Sequence, residues 1–435
     1  MKNIFVIGLD PINHQLLQTI EDDDEYRFHG LLDFFEVVHP PEEGYPSFAS
    51  MLQRSKEAIA GFPERVDGIM GYWDFPTSVL VPLIARETGL PGTNPDAVAR
   101  CEHKYWSRLE QREVLPDNIP DFQAIDPFAA DPLAEVRLDY PFWLKPVKAH
   151  SSFLGFHIDG PETLQAHLVE IREKIGLVAA PFNEFLTHVK VPEVVAPVDG
   201  YHCIAEAITS RGMQCTVEGF SWQGDVTVIG LVDSIRAGKH GSSFTSYRYP
   251  SQLPAGIQRR LAEMSEKVMR HIGYDNGAFN IEYFWDPESD RISLLEINSR
   301  SSKSHSPLFL MVDGVTNLKV PLDLAQGQRP AFPQGQGKHR IAAKFMLRFF
   351  EDGILEKVPD EETIAEFKRL YPDSWLTVLA SQGMRLSELP FQDSYSYEVA
   401  EIFLGADNED ALLEKYDHAC RLLGFKVSPL EQEAP

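Results

Sequence analysis

Two carboxylates and one amide stand at spacings that suit a divalent cation. They are Glu282, Glu296 and Asn298, in the segment GAFNIEYFWDPESDRISLLEINSRSSKSH that runs from Gly277 to His305. The segment reads as two strands joined by Asp286-Pro287-Glu288-Ser289-Asp290, a run of turn-forming residues. Side chains alternate faces along a strand, so Glu296 and Asn298 share one face. If Trp285 pairs with Arg291, Glu282 joins them; a slip of one residue turns it to the other face. Three hard oxygen donors on one sheet face suit Mg²⁺. Arg300 follows two residues on, with a permanently charged fork shaped for phosphoryl or carboxylate oxygens. A second cation, Lys145, nearly closes the apolar run Pro141-Phe142-Trp143-Leu144-Lys145-Pro146, where burying it is costly unless an anion meets it. A hairpin with polar residues on its solvent face would read the same way, so the surrounding chain has to decide.

The elements that must position these groups are visible in the patterning. Residues 1 to about 100 alternate strands and helices. The strands are Ile4 to Gly8, Tyr26 to Leu32 and Asp67 to Tyr72; the helices are Asn13 to Ile20 and Leu80 to Thr88, the latter closed by Gly89. This is a parallel α/β pattern. Gly8-Leu9-Asp10-Pro11 lacks the later glycines of a dinucleotide-binding G-x-G-x-x-G, which excludes a dehydrogenase. Thr93-Asn94-Pro95-Asp96 opens one helix with cap residues. Its apolar stripe is Val98, Cys101, Tyr105 and Leu109, with Lys104 beside it. An acidic loop, Asp126 to Tyr140, precedes the Lys145 strand. A helix from Pro161 to Gly176 and strands Ile204 to Ile208, Gln214 to Phe220 and Val226 to Val232 follow. Arg236 to Ser243 is a basic, small-residue loop: a mobile surface loop, or a lid carrying Arg236 and Lys239 to a reacting group. Leu261, Met264, Val268 and Ile272 form the core face of the helix before the hairpin. From about 335 onward, strands at Ala342 to Phe350, Gly353 to Leu355 and Tyr395 to Leu404, with a helix from Asn408 to Leu423, outline an α+β lobe.

With 435 residues, the chain has room for two or three domains. Its net charge of −25 argues against nonspecific nucleic-acid binding, and an anionic substrate must be drawn in by a local cluster of Lys and Arg. No apolar run approaches the roughly 20 residues that cross a bilayer, and the run at Ile4 to Gly8 is too short for a signal peptide. Cys101, Cys203, Cys215 and Cys420 have no metal-ligand spacing, so a reducing cytoplasm is the default location.

Glu282, then Glu296-Ile297-Asn298 and Arg300, following Lys104 and Lys145 in that order, resemble the metal-binding core of the ATP-grasp superfamily. The resemblance spans nearly the whole chain. It implies an α/β and α+β multidomain protein: a Rossmann-like N-terminal domain over residues 1–108, an ATP-grasp central domain over 109–335, and a C-terminal α+β lobe over 336–435. The nucleotide-binding small subdomain would fall at about 135–212. In that family the first carboxylate and the Glu-x-Asn pair hold Mg²⁺ against ATP, with Mn²⁺ an acceptable substitute. Lys104, flanked by Gly89-Leu90-Pro91-Gly92 and Ile119-Pro120, and Lys145 would reach the phosphates. Glu206 and Ile208 mark the hinge whose backbone holds adenine, and Gln214 stands where relatives carry a ribose ligand. The chain departs from the family's glycine-rich phosphate loop: Ser151 and Ser152 stand there, and the first glycine is Gly155.

The resemblance implies a ligase that activates a carboxylate as an acyl-phosphate and passes it to an amine, with amino acids or small peptides as substrates. Arg300, Arg236 and Lys239 would stabilise the transferring group. Biotin carboxylases of this superfamily read E-x-N-x-R-x-x-x-E-H, with the second Glu as the base; Ser304 stands there, so carboxylation ranks second. Phosphoryl transfer without amide formation and ATP sensing without turnover are further alternatives. Small-molecule carboxylate and amine partners, no membrane or nucleic acid, and a homodimer complete what the resemblance suggests.

Overall fold

The computed structural model describes residues 1–20, 25–38, 44–149, 153–238, 241, 243–389 and 396–430. It packs as two compact units. One comprises Met1–Ile229, Pro254–Lys303 and Asn317–Phe332; the other comprises Gly230–Leu253, Ser304–Thr316 and Pro333–Pro435.

The first unit begins with three parallel strands, β1 (Lys2–Ile7), β2 (Tyr26–Leu31) and β3 (Gly68–Met70), in the order β2-β1-β3. Strand order reverses beside β1, and the crevice at the carboxyl ends of such strands is where open α/β sheets take ligands. Gly8 leaves β1 at φ +65, and a Cβ there would lie 2.9 Å from Val37 and 3.1 Å from the Trp73 ring. Glycine is the residue that tolerates both the backbone turn and the close approach. Gly71 to Asp74 follow β3 at this same edge, before the helix Thr77–Thr88, which ends at Gly89 in the left-handed region.

The helix expected after Thr93 is two helices, Pro95–Glu102 and Lys104–Val114, broken at His103. The His103 ring is buried and its Nε2 lies 2.8 Å from the Val198 carbonyl, while Nδ1 accepts from the Trp106 amide at 3.2 Å. Burial pushes its pKa down to about 4, so the ring is neutral and can accept at one nitrogen while donating at the other. The break re-phases the second helix. Lys104, Trp106, Ser107, Arg108 and Gln111 turn inward, and Tyr105 and Leu109 are only half-buried.

Next come β4 (Phe122–Ile125), β5 (Phe142–Pro146), β6 (Phe156–Ile158) and β7 (Cys203–Ala207), an antiparallel sheet in the order β4-β7-β5-β6. The helix Pro161–Lys174 lays Leu164, Leu168 and Ile171 against Phe142, Leu144 and Ile158. That spacing of four and three is one face of a helix. After β8 (Met213–Trp222) the chain turns at Gln223 and Gly224, both at positive φ, into β9 (Asp225–Ala237). β9 carries it into the second unit, where β10 (Ser243–Tyr249) lies. It returns through the helix Ala255–Ile272 to β11 (Gly277–Asp286) and β12 (Arg291–Asn298). β11 pairs antiparallel with both β8 and β12. Leu261, Val268 and Ile272 of the preceding helix are buried as expected, but Met264 is only half-buried. The inward position next to it is Ser265, which lies 2.9 Å from the Tyr283 hydroxyl.

In the second unit the antiparallel order is β9-β10-β13-β16-β15, with β13 at Ile341–Phe349, β15 at Trp375–Val378 and β16 at Tyr397–Ala406. A two-stranded pair, β14 (Gly353–Lys357) and β17 (Lys426–Pro429), stands apart from them. Ile341, Ala343, Phe345, Ile402 and Leu404 pack on Leu412, Ala419 and Leu423 of the helix Glu409–Leu423. Asn408 caps that helix by accepting from the Ala411 amide at 2.9 Å. No helix among the described residues is long and apolar enough to cross a membrane.

Candidate active site

The hairpin forms where the alternation places it, but with a different register at the turn. Arg291 pairs with Asp286, not Trp285, which alone would turn Glu282 away from Glu296 and Asn298. A β-bulge corrects it. Leu294 faces Tyr283, Leu295 is the extra residue, and Glu296 faces Glu282 while Asn298 faces Asn280. Both carboxylates and Asn298 therefore share one face of the sheet. The bulge has its own clamp: Arg108 donates Nη1 to the Leu294 carbonyl at 2.9 Å and Nη2 to the Leu295 carbonyl at 2.7 Å. Arg108 lies about half a chain away from that bulge, and nothing local in the hairpin announces it.

Asn298 Nδ2 donates to Asn280 Oδ1 at 2.9 Å, and Gln214 Nε2 donates to Glu282 Oε2 at 2.8 Å. These contacts orient the two amides on that face. The donor set fits Mg²⁺ in its chemistry, two carboxylates and one amide oxygen. A protein cation already stands on it: the Lys104 ammonium, bonded to Glu296 and to the Ala149 carbonyl at 2.9 Å. Burial works against ionisation of Glu296, but Lys104 above all, with Lys145 and Lys148, holds its carboxyl below the ordinary value.

Lys145, on β5, donates to Glu206 Oε2 at 2.6 Å, and Arg108 Nε donates to Glu206 Oε1 at 2.6 Å. Glu206 therefore contributes a buried side chain as well as the backbone position for which the sequence singles it out. Burial alone would raise its pKa; Arg108 and Lys145 outweigh that and hold it at about 2. Ile208 lies just past the end of β7, half-buried. Gln214 reaches the hairpin through Glu282, and its own Oε1 is buried with no hydrogen-bond partner among the described residues.

Arg300 forms a group that its local sequence does not reveal. Its Nη2 donates to Asp74 Oδ2 at 2.6 Å. Lys148 is fully enclosed; its ammonium bonds Glu102 and lies 3.5 Å from Asp74 Oδ1. Glu102 also accepts from Ser299 Oγ at 2.6 Å, and Glu218 accepts from the Ser302 amide at 3.1 Å. Burial lowers the Arg300 pKa, but Asp74, Glu102 and Glu218 more than compensate and raise it above its ordinary value. Five cations (Lys104, Lys145, Lys148, Arg108 and Arg300) thus stand in one unit of a chain of net charge −25.

The first unit brings together Lys104, Lys145, Glu206, Gln214, Glu282, Glu296, Asn298 and Arg300. Arg236 belongs to the second unit, where its guanidinium lies 4.2 Å from the Phe244 ring centroid. His305 is there too, edge-on to Tyr247 at 5.1 Å. Lys239, Ser151 and Ser152 lie outside the described residues.

The family described as carbamoyl-phosphate synthase L chain, ATP binding domain, matches residues 223–331. The carbamoyl phosphate synthase large chain, C-terminal section, of Methanopyrus kandleri is 26% identical over 247 residues, 55% of this chain and 41% of that protein. The large chain from Xylella fastidiosa is 32% identical over 104 residues, 23% of this chain and 9% of that one. This chain thus spans less than half the length of these curated relatives. Among solved structures, L-amino acid ligase from Bacillus licheniformis superposes with a TM-score of 0.71 at 16% identity, covering 98% of this chain and 99% of that one. Phosphoribosylglycinamide synthetase from Anaerococcus prevotii gives 0.63 at 14% identity, covering 98% and 100%. Biotin carboxylase from Campylobacter jejuni gives 0.60 at 15%, covering 98% and 92%.

Proposed function

We propose that this chain, an ATP-grasp protein by its fold, is an ATP-dependent carboxylate–amine ligase that works through an acyl-phosphate. One observation carries the reading: Glu282 and Glu296 face each other across a bulged hairpin with the Lys104 ammonium already on Glu296. A carboxylate pair able to hold a metal beside a cationic wall is what a nucleoside triphosphate needs, and a solvated polar hairpin would not meet a buried lysine from another element.

In this reading Glu282, Glu296 and Asn298 hold Mg²⁺, or Mn²⁺, which takes the same donors. Bound there, the metal screens the charge of the phosphates. Lys104 exchanges Glu296 for a phosphate oxygen, and Lys145 turns from Glu206 in the same way. A carboxylate oxygen of the substrate attacks the γ-phosphorus, and the bond from that phosphorus to the leaving ADP oxygen breaks. The Arg300 fork carries charge on the transferring group, since its donors cost no reorganisation when the charge develops. The amine nitrogen then attacks the acyl carbon. Phosphate leaves, a proton is lost to solvent, and the amide remains. Ile208 and the Glu206 backbone would hold adenine, and the free Oε1 of Gln214 would accept from a sugar hydroxyl. Ser304 has no basic group to deprotonate bicarbonate, which ranks carboxylation second.

The test is ADP release from Mg-ATP, with pooled amino acids and small carboxylic acids in one arm and bicarbonate plus biotin in the other. ADP formed in the first arm and lost in Glu296→Gln supports the ligase. Bicarbonate-dependent ADP would replace it with the carboxylase.

A further inference from the structure

We propose that Asp74 and Arg300 form a clamp for a zwitterion, so that the carboxylate substrate is an α-amino acid held with its ammonium protonated. This deepens the ligase reading and rests on it.

Asp74 stands at the carboxyl edge of the parallel sheet, four residues beyond β3 and next to the point where strand order reverses around β1. Arg300 arrives from the metal hairpin, two residues after Asn298. The two side chains meet at 2.6 Å with 25% and 18% of their areas accessible, so they are not sealed in. Among the described residues the buried Nε of Arg300 makes no hydrogen bond, and Nη1 reaches the Ser301 carbonyl at a long 3.4 Å.

The charge balance selects the ligand. Arg300 and Lys148 already face three carboxylates, Asp74, Glu102 and Glu218. A simple carboxylate entering this group adds unmatched negative charge and sets its chain against Asp74. A zwitterion adds none, and exchanges one ion pair for two. Its geometry fits, because the ammonium nitrogen and the carboxyl carbon of an α-amino acid are only about 2.5 Å apart, across one tetrahedral carbon. Next to Asp74 in the chain is an aromatic wall, the Trp73 ring, with the Lys303 ammonium 4.7 Å from its centroid. Trp73 is fixed by donating Nε1 to the Gly8 carbonyl at 2.8 Å and packs on Phe34 at 5.2 Å, with Phe35 exposed next to it. The amino acid's side chain would lie along that wall, which favours apolar residues.

The clamp also gives the reaction a direction. An ammonium held against Asp74 keeps its proton and its lone pair is not available for attack. The amino acid bound here is therefore the acyl donor, and the nucleophilic amine comes from a different molecule.

Calorimetric titration of the full chain with Mg²⁺ and a non-hydrolysable ATP analogue tests this. The probes are the twenty proteinogenic L-amino acids, with 4-methylpentanoate and 3-phenylpropanoate as analogues of leucine and phenylalanine that lack the amino group. The expected result is that leucine or phenylalanine binds at least 10-fold more tightly than its analogue, and that Asp74→Asn erases the difference while Asp74→Glu keeps part of it. The wild-type comparison stands by itself should a variant fail to fold. Equal binding of acid and amino acid, no binding of any amino acid, or discrimination retained in Asp74→Asn would each overturn the clamp. Amino acids that bind under this discrimination yet never yield ADP would overturn the ligase reading and leave the clamp standing.

Discussion

Replacing Glu206 by Gln removes the anion shared by a buried cation, Arg108, and a half-buried one, Lys145. The carboxylate sits at about 2 against an ordinary value of 4.5, about 2.5 units, because Arg108 and Lys145 overcome the penalty of its burial. At about 1.4 kcal/mol for each tenfold change in proton affinity, the charged form contributes roughly 3–4 kcal/mol to the native state at neutral pH. Glutamine keeps the shape and offers a dipole where a charge stood. Arg108 retains Gln111 and the bulge carbonyls, so the loss should fall at the lower end of the roughly 3–5 kcal/mol seen when one partner of a buried pair is removed. The sign with pH follows from the depressed value. The contribution is complete above about pH 4.5, where the unfolded carboxyl is ionised, and is lost as pH falls through about 2. At pH 3 less than half of it remains. Equilibrium urea unfolding of wild type and Glu206→Gln, followed through the first transition at pH 7, 5, 4 and 3, should show a gap of about 3 kcal/mol that narrows on acidification. A gap within about 0.5 kcal/mol at pH 7, or one that does not narrow, would refute the paired-cation account.

Glu282→Gln and Glu296→Gln should each lower Mg²⁺-dependent ADP release by on the order of 100-fold or more, as read in a coupled ADP assay. Arg108→Lys keeps the charge but loses the two-pronged hold on the Leu294 and Leu295 carbonyls, and a Mg²⁺ titration of ADP release should show roughly 10-fold weaker metal dependence. In the second unit, Tyr249→Phe deletes the 2.7 Å hydrogen bond to Asp313 and leaves a buried carboxyl short of a donor. Denaturant unfolding should find that unit about 1–2 kcal/mol less stable.

The hairpin, the N-terminal parallel strands and the strand carrying Lys145 could all be read from periodicity and turn residues, because those signals are local. The register could not. Alternation places Glu296 and Asn298 together, but whether Glu282 joins them depends on a bulge at Leu295 that Arg108 holds from elsewhere in the chain. The helix break was equally hidden. His103 stops the helix by capping its successor and bonding a carbonyl 95 residues away, and the break turns Lys104 inward toward Glu296.

The sequence by itself determined which chemical groups were present and on which type of element each would sit, since strand and helix periods depend on nearest neighbours. It also placed Glu296 and Asn298 on one face of a strand, because alternation along a strand is local. Which charge neutralises which was decided only in three dimensions. Asp74 meets Arg300 across 226 positions and Arg108 meets Glu206 across 98. Desolvation and Coulomb attraction depend on distance through space, and no pattern along the chain encodes that distance.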